Sequence, residues 1–122
     1  MVKIFGLAAA LLVASAAPVL AESACMAPIA PAAVDGSTAT PAQMKATHDD
    51  VMTFIKQSDD YQMCLFKELN DAKAAALKDK KDLDPSIEQG VNAKVQDNQS
   101  LKEKVGNEFN AAVVAYKAKH PG

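Results

Sequence analysis

Arginine is absent from this sequence, and all 13 basic residues are lysine. Bidentate guanidinium clamps on phosphate or carboxylate are therefore excluded, and with them the commonest contact to guanine edges in DNA. Fifteen acidic residues leave a formal net charge of −2, so the sequence-independent attraction to a polyanion is unfavourable as well. Nucleic acid is not an expected partner. Catalytic signatures are equally scarce: the chain has no Gly-rich phosphate loop, no G-x-S-x-G and no H-E-x-x-H. Its two cysteines, Cys25 and Cys64, form neither C-x-x-C nor C-x-x-C-H, which removes redox and haem-attachment motifs. Two histidines far from both offer no four-ligand zinc spacing. Alternating β-branched runs and Asn-Gly turns are missing too, so no strand is expected.

What is present begins with an address. Lys3 supplies a positive start, Ile4 to Ala17 are uncharged and apolar, Pro18 breaks the run, and Val19-Leu20-Ala21 places acceptable residues at −3 and −1 of a signal peptidase site. Residues 1–21 read as a cleaved secretory signal, since the apolar run is shorter than the ~20 residues that span a bilayer. A lipoprotein anchor on Cys25 is disfavoured, because Glu22, Ser23 and Ala24 stand where a lipobox needs Leu and two small residues. The expected product is exported, periplasmic or secreted, with no stable membrane insertion. Without Lys3 it keeps 12 lysines against 15 acids, a net charge of −3.

Two helix starts follow. Thr40-Pro41-Ala42-Gln43 combines an N-cap threonine, proline at N1 and a capping-box glutamine at N3. No proline or glycine then occurs before Pro85, while Met44, Val51, Ile55, Leu65, Leu69, Ala72 and Ala76 recur at helical spacing. Lys78, Lys80 and Lys81 suit the negative end of the dipole. Asp84-Pro85 repeats the start, and Ile87, Val91, Val95, Leu101, Val105, Phe109, Ala112 and Tyr116 form a second stripe ending at His120-Pro121-Gly122. The prediction is an all-α fold: a long antiparallel hairpin with helices at about 41–80 and 85–119, one hairpin domain at 41–122, and an extended Pro/Ala-rich arm at 22–40. Ser58-Asp59-Asp60 is a point where the first helix could break, but the sustained stripe favours continuity. Gly90 and Gly106 read as tolerated helix glycines.

Reflection about the turn at Lys81–Leu83 places Leu65 near Asn98, Tyr61 near Leu101 and Val51 near Ala112. Asn98 is then a polar residue in a coiled-coil-like seam, where it could specify a register or a partner. In an exported protein the two cysteines are expected to pair within the chain, an intermolecular bond being the rival. The geometry permits it. Cys64 lies about 36 Å along the first helix, and the fifteen residues from Thr40 back to Cys25 reach up to roughly 50 Å. Pro28, Pro31 and Val34, three apart, would share one edge of a polyproline II arm, with Asp35-Gly36-Ser37 as the reversing turn.

Candidate chemistry is sparse. Met44, His48 and Met52 fall at i, i+4 and i+8 and offer soft ligands suited to copper, with His120 at the same end of the hairpin. Met44 and Met52 fit the apolar stripe equally well, so no metal or other cofactor is assigned. Asp49-Asp50 and Asp59-Asp60 lack the enclosing pocket that shifts catalytic carboxylates, and no enzyme activity is expected. The segment Ala39-Thr40-Pro41-Ala42-Gln43 resembles, at Thr40 and Gln43, the LTxxQ signature of small periplasmic helical-hairpin chaperones and metal-stress sensors. Alanine stands for its leucine and no second copy occurs, so the chain is not assigned to that family. The leading expectation is a non-enzymatic exported hairpin acting by protein contacts, through a homodimeric four-helix bundle or an envelope partner. The alternative is a periplasmic copper-binding or metal-stress protein.

Overall fold

The computed structural model describes residues 24–122; the predicted leader and its cleavage site lie outside them. The helices α1 (Pro41–Lys78) and α2 (Pro85–Lys119) pack as a hairpin, and among the described residues no strand occurs. Both starts are capped as their sequences dictate. Thr40 accepts a hydrogen bond from the Gln43 amide at 3.2 Å, while the Thr40 amide donates to the Gln43 side chain at 2.8 Å. Asp84 accepts from the Ser86 amide at 2.9 Å. α1 runs unbroken through Ser58-Asp59-Asp60.

The far end of α1 falls within two residues of the expected one. The helix stops at Lys78, because Lys80 takes the left-handed conformation with φ 52° and the Lys81 amide turns back to the Ala76 carbonyl at 2.9 Å. That is a Schellman-type stop built on lysine, where glycine is the usual residue. The connection then runs back along α1, and Leu83 packs against the cluster of Leu65, Leu69 and Val91. α2 consequently starts below the end of α1, leaving Leu77 80% exposed.

This offset corrects the mirrored register. Asn98 lies beside Ser58 and Gln62 rather than Leu65, and Ala112 packs with Met44 rather than Val51. Val51 instead meets Val105, and Lys73 pairs with Glu88 at 3.0 Å. A mirrored register requires a symmetric hinge; the backward run of Lys81–Asp84 instead shifts contacts by about one turn. Tyr61 and Leu101 still line one shallow cleft together.

The core forms three layers along the rod. At the open end Ala39, Met44 and Ala112 are buried, then Val51, Phe54 and Val105, then Leu65, Leu69 and Val91 near the connection. Between the second and third layers sits a polar step, Ser58 and Asn98, at 0% and 6% exposure. The Asn98 amide donates to Ser58 Oγ at 3.2 Å, and its carbonyl oxygen accepts from Gln62 at 2.8 Å. No buried side-chain polar atom among the described residues lacks a partner, so this step fixes which turns face each other without an unpaired group.

The arm lies along the hairpin as a third, non-helical layer. Cys25, Pro28, Pro31 and Val34 are half-buried while Met26, Ile29, Ala32 and Ala33 face out. That period of three is what an arm packing one polyproline edge requires. Ala30 reaches the Val51–Phe54–Val105 layer and Val34 the open-end layer. The reversing turn is held by Asp35, whose carboxylate accepts from the Ser37 amide (2.9 Å) and hydroxyl (2.6 Å) and whose carbonyl accepts from the Ala39 amide (3.0 Å). Gly36 is buried here against α2. A Cβ on it would stand 1.8 Å from the Ala112 carbonyl oxygen, so only glycine permits this approach. Gly90 and Gly106, by contrast, have nothing within 4 Å of the equivalent position, which agrees with their reading as tolerated helix residues.

Candidate functional site

The chemically distinctive point of the molecule is where the arm meets α1. Cys25 and Cys64 are joined by a disulfide with Cα atoms 5.7 Å apart. α1 supplies Cys64 and, one turn later, Glu68 on the same face. The Ala24 amide donates to Glu68 Oε1 at 2.9 Å, which draws the carboxylate to the arm. The two sulfurs and a Glu68 oxygen all lie within 4.8 Å of one another. Beside them opens a cleft of about 620 Å³ whose walls include Met26, Ile29, Gln57 and Tyr61. The disulfide is thus half-buried but borders open space.

The candidate ligands Met44, His48, Met52 and His120 are engaged elsewhere or exposed. Met44 is committed to the open-end core, and Met52 is exposed. His48 faces Asp49 through Nδ1 at 3.3 Å and tilts its ring against Phe109 at 5.8 Å. His120 stacks on Tyr116, 4.2 Å between centroids, with its Nδ1 3.0 Å from the Tyr116 carbonyl. The doubled acids are engaged with lysines: Asp49 with Lys45 and Asp60 with Lys56, each at 3.0 Å, and Asp59 with Lys102 across the seam. The Lys45 ammonium, aided by His48, holds the Asp49 carboxyl below the usual range, the opposite of the upward shift a general acid needs. Asn98, proposed as a partner-specifying residue, spends both ends of its amide on α1 of its own chain.

A second feature emerges on the outer face of α1. From Lys45 to Leu77 the helix repeats every eleven residues: Lys45, Lys56 and Lys67; Asp49, Asp60 and Asp71; Met52 and Met63; Ile55, Phe66 and Leu77. Each lysine pairs with the aspartate four residues on, at 3.0, 3.0 and 2.6 Å. An eleven-residue period is close to three turns of helix, so equivalent positions stack in rows. Met52, Met63, Phe66 and Leu77 are all exposed and fall within an arc of about 60° at 100° per residue. Among the described residues, neither α2 nor the arm covers that row. The period is present in the sequence as the near-copies KATHDDVMTFI and KQSDDYQMCLF, a signal separate from the three-and-four spacing of the buried stripe; Glu68 is likewise signalled by its Cys-x-x-x-Glu spacing to Cys64.

Comparison with known proteins adds no relative: no protein family, curated protein or solved structure matches the chain. Among the described residues no helix is long and apolar enough to cross a membrane.

Proposed function

We propose that this chain is an exported, non-enzymatic protein, periplasmic or secreted, that acts by protein contacts, and that its contact surface is the outer row of α1. The observation that carries the reading is the exposure of Met52, Met63, Phe66 and Leu77 along one face, with Met63 at 68% and Leu77 at 80%. The row extends for about 38 Å at 1.5 Å per residue, and an exposed apolar row of that length marks an interaction face. Its simplest occupant is a second copy. The lysine–aspartate pairs flanking the row place a positive and then a negative charge in every repeat. Two such rows running antiparallel bring the lysines of each copy to the aspartates of the other, a self-complementary contact closed by a two-fold axis. The product is a four-helix bundle with the two arms on its outside. Export is supported by the leader-like pattern at residues 1–21 and agrees with a structural disulfide.

Sedimentation or light scattering of the mature protein at micromolar concentration tests the reading. Wild type is expected to be dimeric, and Met63→Glu combined with Phe66→Glu to be monomeric with unchanged helix content. A compact wild-type monomer at that concentration rejects the second copy as the occupant.

A further inference from the structure

We propose that the arm clasp is also a metal site: once the Cys25–Cys64 bond is reduced, Cys25 Sγ, Cys64 Sγ and the Glu68 carboxylate bind one Zn²⁺ ion. This goes beyond the contact function and is independent of it.

Three observations carry the inference. The ligand set fits, because zinc takes Cys thiolates and carboxylate oxygens, and three protein ligands leave the fourth tetrahedral position to water. The geometry is close: the three ligand atoms already lie within 4.8 Å of one another. On a tetrahedral zinc they would be about 3.5–3.8 Å apart, given Zn–S and Zn–O bonds of about 2.3 and 2.1 Å. Opening the S–S bond and turning the Glu68 side chain spans that difference without moving α1, since Cys64 and Glu68 are fixed one turn apart on the same face. The Ala24 amide, 2.9 Å from Glu68 Oε1, also keeps the carboxylate aimed at the arm, as an outer partner of a metal ligand does. Finally, the cleft of about 620 Å³ beside the sulfurs provides a route for the ion and for a reductant.

The chemistry balances in two steps. A dithiol reductant transfers two electrons and two protons to the disulfide, becoming a disulfide itself and leaving Cys25 and Cys64 as thiols. Zn²⁺ then displaces two protons to give the dithiolate complex. The arm is thereby tethered in both states, by a covalent bond when oxidised and by the ion when reduced.

The test uses mature protein reduced with a phosphine, its helix content checked by circular dichroism, and equilibrium dialysis against Zn²⁺ with Co²⁺ as the spectroscopic probe. Reduced wild type is expected to bind one Zn²⁺ per chain and to show a thiolate-to-cobalt charge-transfer band, whereas the oxidised protein shows neither. Glu68→Gln, whose oxidised form retains the disulfide and therefore reports folding separately, should bind at least tenfold more weakly when reduced. Added Zn²⁺ should restore protection of residues 27–39 against protease in the reduced wild type. Uptake by the reduced chain no greater than by the oxidised one overturns the proposal. So does one ion per two chains, equal affinity of Glu68→Gln and wild type, or an arm left open to protease at saturating Zn²⁺.

Discussion

Replacing Gly36 by alanine should unfasten the end of the arm, whereas the same change at Gly106 should strengthen the molecule. At Gly36 the added methyl would stand 1.8 Å from the Ala112 carbonyl oxygen and 2.6 Å from its carbon. An ordinary carbon–oxygen contact needs about 3.3 Å, so the deficit is about 1.5 Å. No rotamer relieves it, because the obstruction is helix backbone. The turn must therefore retreat from α2, and a gap of even 0.5–1 Å forfeits a quarter to a half of the local dispersion energy. The contacts at risk are those of Val34 and Ala39 with Met44 and Ala112. Overpacking of this kind costs about 1–3 kcal/mol, and a value near 2–3 kcal/mol is expected since the whole turn is displaced. Gly106 has nothing within 4 Å of its would-be Cβ and lies inside α2. Alanine there should stabilise by about 0.8–1 kcal/mol through helix propensity alone. Urea unfolding of the two variants reads both signs in one experiment. A Gly36→Ala protein as stable as wild type would refute the close approach of turn and helix.

Further outcomes follow from the other fixed points. Cys64→Ser opens a loop whose ends are 39 residues apart and should lower stability by about 4 kcal/mol in the chain-entropy model, with the helices retained and residues 27–39 becoming the first site of proteolysis. Asn98→Ala leaves the fully buried Ser58 hydroxyl without its donor and should cost about 1–3 kcal/mol by equilibrium unfolding, while Ser58→Ala with Asn98→Leu should recover most of that loss. Hydrogen bonds from Ser37 and Ser86 hold the Asp35 and Asp84 carboxyls below the usual range. Their folded pKa values lie under the unfolded value of about 3.9, so their stabilisation is present above pH 4 and lost as pH falls through the folded values. Acid titration of stability should thus steepen below pH 4 in wild type and less so in Asp35→Asn.

Local chemistry was legible and relative placement was not. The capping box at Thr40, the N-cap at Asp84 and the N1 prolines are written within four residues each, and both helices start there. The arm's return toward Cys64 was permitted by chain length, and the spacing of Pro28, Pro31 and Val34 marked its edge, but whether it packs on the hairpin was not readable. The register was not, since it depends on Lys80 entering a left-handed conformation that lysine does not advertise and on Leu83 folding back onto the cluster of Leu65, Leu69 and Val91. The turn at Gly36 was expected, but its contact with Ala112 required knowing which turn of α2 lies beneath it. At the clasp the two cysteines were visible as a pair and Glu68 one turn beyond Cys64, but the contact of the Ala24 amide with Glu68 was not.

The bond between Cys25 and Cys64 underlies the arm's position and the clasp, so its state in the exported protein is the most direct test. Mature protein purified without reductant should be denatured and its thiols counted, with non-reducing electrophoresis alongside. The account predicts no free sulfhydryl and a monomer-sized band, shifting in mobility only on reduction. Two free thiols per chain, or a disulfide-linked dimer, would contradict it.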